Sequence, residues 1–191
     1  MTAPVPEIPL ARGQLLVVGT GAIAVSALPS WLMVLRGTYP GWTVRVCLTE
    51  AAATLVAPDA LAAVTGSPVL GPAWPTARGG VPHVEAAEWA DLVLVLPASA
   101  DFVAKCTLGI ADGLGLAIVQ NTAAPVVLVP ALSAVAAGKP AVLRALARAA
   151  DDGLHVVPPA PVASVHGGAP AAMADLVTVL RHLAQVVRPE S

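Results

Sequence analysis

Three short polar stretches each follow an apolar run of strand length: Gly19-Thr20-Gly21 after Gln14-Leu-Leu-Val-Val, Thr49 after Thr43-Val-Arg-Val-Cys-Leu, and Pro97-Ala98-Ser99-Ala100 after Asp91-Leu-Val-Leu-Val-Leu. Small residues and hydroxyls at such places suit an anion. Glycine lets the backbone come close, and a helix starting there offers free N–H groups and the positive end of its dipole. Thr20 and Ser26 add hydroxyls that can donate to a phosphate. A lone Gly-x-Gly fits a tight strand-to-helix turn without ligand equally well. The chain lacks the third glycine and the acidic ribose partner of a dinucleotide fingerprint.

His83 lies in Val81-Pro82-His83-Val84-Glu85, at a helix start just before the strand from Asp91. A histidine titrates near neutrality and so serves as a general base. Taken alone it reads more often as a capping or surface residue, and His155, His166 and His182 are available on the same chemistry. Cys47 and Cys106 fall within a strand and a helix, as small core residues. Two cysteines so far apart make neither a disulfide framework nor a zinc cluster, and no Cys/His metal spacing exists.

To position these groups the chain must repeat one unit, a buried strand running to a polar loop that opens a helix. That order predicts an α/β fold with a doubly wound parallel sheet, a Rossmann-like or flavodoxin-like three-layer sandwich. Ligands of such sheets bind beyond the carboxyl ends of the strands. Further strands are expected at Val126 to Val129 and His155 to Val157. Helices are expected over Ala22 to Arg36, Pro58 to Val64, Asp101 to Leu108, Ser133 to Ala150 and Ala171 to Val187.

The chain has 191 residues, 57% of them hydrophobic and 12% charged, which fits one domain spanning residues 1–191 and excludes general disorder. Residues 1–12, with Pro4, Pro6 and Pro9, read as a flexible N-terminus without the basic and then apolar pattern of a secretory signal. Ser67 to Pro82 reads as a surface loop holding Trp74, and Pro158 to Pro170 as either a lid or a disordered segment. Gln14 to Leu35 and Gly113 to Gly138 carry no charge and could span a bilayer by length. Their internal glycines, prolines and amides instead mark a buried strand joined by a loop to another element. A net charge of −2 gives no basic face for nucleic acid. The expected setting is the cytoplasm, with no membrane partner. So few charges on so apolar a chain predict self-association.

Taken together these residues resemble the homo-oligomeric flavin-containing cysteine decarboxylases, over Gln14 to Pro158. Leu16-Val-Val-Gly-Thr-Gly-Ala-Ile-Ala24 is similar to the family's first glycine loop. Val44-Arg-Val-Cys-Leu-Thr-Glu-Ala-Ala52 is similar to its second strand, whose threonine lies near the flavin. The most specific stretch runs from His83 to Asp101 and joins the family's active-site histidine motif to its Pro-Ala-Ser-Ala-Asn-Thr motif. Ala104-Lys105 and Gly109-Ile-Ala-Asp112 continue the match. The chain departs at Ala86, at Asp101-Phe102, and at Pro130-Ala-Leu-Ser-Ala-Val-Ala-Ala137, where Ser133 replaces the asparagine that holds the substrate's carboxylate side in the family.

The resemblance implies that Gly19, Thr20, Gly21, Ile23, Ser26, Thr49, Pro97, Ala98, Ser99, Ala100 and Asp101 hold a flavin, FMN in preference to FAD. It implies His83 and Ser133 as catalytic residues, and the 158–170 loop as a clamp on substrate. No cysteine follows Cys106, so the chain resembles the branch that oxidatively decarboxylates the C-terminal cysteine of a ribosomal precursor peptide and stops at the enethiol, on the way to aminovinyl-cysteine. The alternatives are phosphopantothenoylcysteine decarboxylation in coenzyme A biosynthesis and a non-catalytic flavin-binding subunit. The family's trimers, often packed into dodecamers, set the expected assembly.

Overall fold

A computed structural model describes residues 5–74, 80–159, 161–162 and 171–187. Five strands, β1 (Gln14–Gly19), β2 (Thr43–Leu48), β3 (Leu92–Ala98), β4 (Val126–Pro130) and β6 (His155–Val156), form one sheet in the order β2-β1-β3-β4-β6. All pairings are parallel. This is the order of a flavodoxin-like sheet, and the chain reverses its direction of travel between β1 and β3. Every residue of β3 is buried, as a strand covered on both faces requires.

Side-chain alternation splits the core in two. Leu15, Val17, Leu92 and Leu94 point to the layer of α1 (Leu28–Thr38), α3 (Pro58–Thr65) and the C-terminal helix. Leu16, Val18, Val93 and Val95 point to α4 (Pro82–Trp89), α5 (Ala100–Thr107), α6 (Leu114–Asn121) and α8 (Pro140–Asp151). A fully buried leucine contributes about 1.5–3 kcal/mol, so the twelve largest side chains below 2% exposure, eleven leucines and one isoleucine, dominate the fold's stability. Short α2 (Glu50–Ala53) follows β2 directly, with Thr49 as its cap.

Several expectations need correction. The helix expected over Ala22 to Arg36 is a 3₁₀ turn, Ile23–Ala27, followed by α1, because Pro29 has no N–H and must sit in a first turn. The stretch Ser133 to Ala150 breaks at Gly138-Lys139-Pro140 into α7 (Ala134–Ala137) and α8, for the same reason. In place of one helix from Ala171 there is β8 (Ala171–Ala172), then α9 (Leu176–Val186), whose first turn is fixed by the Asp175 carboxylate accepting from the Thr178 N–H at 2.7 Å. The uncharged Gly113 to Gly138 stretch opens with a helix, α6, ahead of its strand. Within the N-terminal segment expected to be flexible, Ile8 is in the core and Tyr39 donates to the Pro6 carbonyl at 2.8 Å. In the loop after α3, Leu70 bridges to Cys47 and extends the sheet edge. Residues 75–79 of that loop lie outside the described residues.

A second, antiparallel sheet joins β5 (Leu132–Ser133), β8 and β7 (Pro161–Val162) in the order β5-β8-β7. It seats Ser133 opposite Ala171. Most of the 158–170 clamp, residues 160 and 163–170, lies outside the described residues. Among the described residues no helix is long and apolar enough to cross a membrane.

Candidate functional site

The carboxyl ends of β1, β2 and β3 surround a cavity of about 710 Å³, at the point where the strand order reverses. That volume suits a mononucleotide-sized ligand. Of the residues expected to hold one, Thr20, Gly21, Thr49, Ser99 and Asp101 line the cavity. Gly21 packs tightly against α2, since a Cβ there would lie 2.5 Å from the Cβ of Ala51. Thr49 and Ser99 are helix caps. Thr49 Oγ1 accepts from the Ala52 N–H at 3.3 Å, and Ser99 Oγ from the Phe102 N–H at 3.2 Å. The first-turn amides of Glu50, Ala51, Ala100 and Asp101 have no intrahelical acceptor, and no other acceptor is found for them among the described residues.

The remaining expected residues do not line this cavity. Gly19 stands behind it, its carbonyl accepting the Thr49 N–H at 3.0 Å. A side chain at Gly19 would meet Leu48 Cδ2 at 2.8 Å. The Pro97 carbonyl accepts from Thr20 Oγ1 at 2.7 Å and the Ala98 carbonyl from the Ala131 N–H at 2.9 Å. Ala100 is half-buried at the start of α5. Ile23 is exposed, and Ser26 donates its hydroxyl to the Ile23 carbonyl at 2.8 Å instead of to a ligand. Thr20 likewise has its proton engaged, so the expected phosphate donors Thr20 and Ser26 both donate inward.

His83 is the second residue of α4 and half-buried, with Nδ1 buried and without a hydrogen-bond partner among the described residues. Its ring meets Trp74, which does line the cavity. Ser133 is exposed and caps α7, its Oγ accepting from the Ala136 N–H at 3.1 Å, which leaves the hydroxyl proton free.

Sequence reasoning assigned no role to several cavity residues. Lys105 lines it, with Nζ 3.2 Å from Asp101 Oδ2 and 3.0 Å from Asp112 Oδ2. The hydrogen bond to Asp112, then that to Asp101, raises the Lys105 pKa above its ordinary value, so the ammonium stays charged. Phe102 and Gly115 lie beside it; a Cβ on Gly115 would approach Val18 Cγ1 at 2.9 Å. Asp101 and Lys105 are four residues apart, the spacing of a helical ion pair, which was the available signal. Burial pushes both thiols, Cys47 and Cys106, up to about 12, which removes them as nucleophiles near neutrality. Among the described residues no group of three or more His, Cys, Asp or Glu could hold a metal ion.

Comparison with known proteins agrees with this geometry. The model of the family described as Flavoprotein matches residues 8–188. The crystal structure of the FMN-dependent cysteine decarboxylase SpaF superposes with a TM-score of 0.81 at 32% identity, covering 94% of this chain and 100% of that one. That of the FMN-dependent cysteine decarboxylase TvaF from thioviridamide biosynthesis gives 0.69 at 31% identity, covering 75% and 88%. The coenzyme A biosynthesis bifunctional protein CoaBC of Escherichia coli is 40% identical over 126 residues, 63% of this chain. The chain spans only 30% of that relative's length.

Proposed function

The chain belongs to the Flavoprotein family, and from that premise we propose that it is an FMN-dependent decarboxylase acting on the C-terminal cysteine of a ribosomally made precursor peptide. The observation that carries this reading is its likeness to an FMN-dependent cysteine decarboxylase over 94% of this chain and 100% of that one. The cavity fits the cofactor by its donor set: unpaired amides at Glu50, Ala51 and Asp101 for the anionic phosphate, and apolar Phe102 and Trp74 for a ring system. When bound, FMN supplies a two-electron oxidation by accepting hydride from the cysteine Cβ.

The protein's own residues do the rest. His83 takes up the proton of the substrate Sγ. Ser133 donates its free hydroxyl proton to the substrate carboxylate. Trp74 covers one side of the cavity and limits water there. Carbon dioxide leaves once the oxidised carbon, now double-bonded to sulfur, can accept the electrons of the breaking bond. The product is a peptidyl enethiol. His83 and Ser133 lie off the one-chain cavity, so this reading includes a homo-oligomer, a trimer or a dodecamer built of trimers, with the flavin at a subunit boundary. Exposed Ile23, Met33 and Val34 on the outer side of the 3₁₀ turn and α1 support such self-association.

The test is mass spectrometry of a Cys-terminated peptide after incubation with the yellow protein. Loss of carbon dioxide and two hydrogens is expected, and His83→Asn should keep the colour while lowering turnover by roughly 10²–10⁴-fold, as for a removed general base. An inert parent or a colourless protein that takes up no flavin overturns the reading. The likeness to the coenzyme A biosynthesis proteins favours a second reading, phosphopantothenoylcysteine as substrate. Parallel assay of that compound decides between them.

A further inference from the structure

The loop after β3 leaves the sheet in an unusual way. The register between β3 and β4 shifts between Val95 and Ala98, and Pro97 has no N–H to offer the ladder. The Pro97 carbonyl and the Ser99 N–H therefore drop out of strand pairing, the carbonyl at a buried place and the amide at a part-buried one. Left alone, each would be an unpaired backbone group of the kind folds avoid. Thr20 satisfies both. Its Oγ1 donates to the Pro97 carbonyl at 2.7 Å and accepts from the Ser99 N–H at 2.8 Å, across 77 and 79 residues of sequence, and the residue is only 1% exposed. A hydroxyl, with one proton and two lone pairs, is the small side-chain group able to do this.

We infer that Thr20 is a positioning residue of the flavin site, its hydroxyl fixing the Pro97–Ser99 segment so that α5 presents Ser99 and the Asp101 amide at the cavity. The inference rests on the flavin reading proposed above. The chain of contacts is continuous: Thr20 holds the Ser99 backbone, the Ser99 hydroxyl holds the Phe102 N–H, and α5 then begins in register with the cavity. The same bridge ties the loops after β1 and β3 together on either side of the crevice that opens where strand order reverses. It also explains why a β-branched residue with a hydroxyl stands between Gly19 and Gly21: the threonine is wired into the scaffold, and the ligand meets the amides that it sets.

The experiment titrates the apoprotein with FMN, following flavin fluorescence, for the parent, Thr20→Val and Thr20→Ser. Valine keeps the shape and removes the hydroxyl, so the dissociation constant should rise by about 10-fold or more, while serine should stay within about threefold of the parent. The inference is overturned if Thr20→Val binds as the parent does, or if Thr20→Ser is as weak as Thr20→Val. A fall in apoprotein melting temperature with unchanged FMN affinity would likewise reduce Thr20 to a folding role. If Thr20→Val does not fold, or if the parent takes up no FMN and the cofactor reading itself fails, amide exchange decides. Slow exchange at Ser99, Ala100 fast, in parent and Thr20→Ser supports the bridge, whereas Ser99 exchanging at the rate of an open loop amide overturns it.

Discussion

Trp74 meets His83 edge to face, with ring centroids 5.3 Å apart and planes inclined by 84°. Trp74 lines the cavity and His83 does not, so on the function proposed above the indole is the contact that would orient the histidine toward the substrate. An aromatic pair of this geometry contributes about 0.5–1.5 kcal/mol beyond its buried area. Trp74→Ala should therefore lower kcat/KM on a Cys-terminated peptide by roughly 2- to 10-fold, with Trp74→Phe near the parent. Equal kinetics for Trp74→Ala and the parent would show that the contact does not orient His83.

Ser133 caps α7, and on the function proposed above it also offers its proton to a substrate carboxylate. Ser133→Ala removes both and should lower kcat/KM by a factor corresponding to about 1–3 kcal/mol. Ser133→Asn keeps a good cap, so stability should return to the parent's value. Kinetics that follow the melting temperature across both variants would leave Ser133 as a cap alone.

Asp91 anchors the start of β3 to the N-terminal segment. Its carboxylate, 7% exposed, accepts from the Arg12 N–H at 2.6 Å, the Gln14 N–H at 3.0 Å and Arg12 Nε at 2.7 Å. Burial raises its pKa, but the Gln14 and Arg12 hydrogen bonds together outweigh that and hold it below the ordinary carboxylate value. Because the folded value is the lower one, this contribution is present above the unfolded pKa and is lost as pH falls through the folded one. Asp91→Ala should cost about 1–3 kcal/mol in urea unfolding at neutral pH, and much less in strong acid, where the parent has lost the same contacts.

His182 on α9 should give the fold a second, milder acid sensitivity. Burial, then the charge of nearby His155, lowers its pKa, and its Nε2 is buried without a hydrogen-bond partner among the described residues. Stability from neutral His182 is complete above the unfolded histidine value near 6.5 and falls as pH drops from there toward the lower folded value. His182→Gln should flatten the decline in melting temperature between about pH 7 and pH 5. A parallel decline in parent and variant would assign that sensitivity to other groups.

The strands of the parallel sheet were legible because their apolar runs end in residues with plain local meanings, whereas the two-residue strands β5, β7 and β8 are too short to show a pattern. β1 and β2 stop at Gly19 and Thr49, where glycine and a capping hydroxyl interrupt the run. α6 was not legible, since Leu114 to Val119 is buried all round and shows no polar face from which to count a helical period. The same logic divides the site. Gly21, Thr49, Ser99 and Asp101 could be placed at the cavity from their position after strands, whereas the duty of Thr20 depends on partners 77 and 79 residues away. Trp74 and Lys105 became meaningful only once the fold set them against His83 and Asp112.

The strand order also bears on how the chain acquires its shape during synthesis. β1 ends up between β2 and β3, both of which are made after it. As β1 leaves the ribosome it has no partner on either edge, and parallel pairing across connecting helices is intrinsically slow because long loops must close first. The central strand therefore waits as a sticky apolar segment until α5 is complete, the period in which such chains are most exposed to aggregation. Once β3 pairs, the ends of β1, β2 and β3 meet and most of the cavity wall exists before β4, β6 and α9 have been translated.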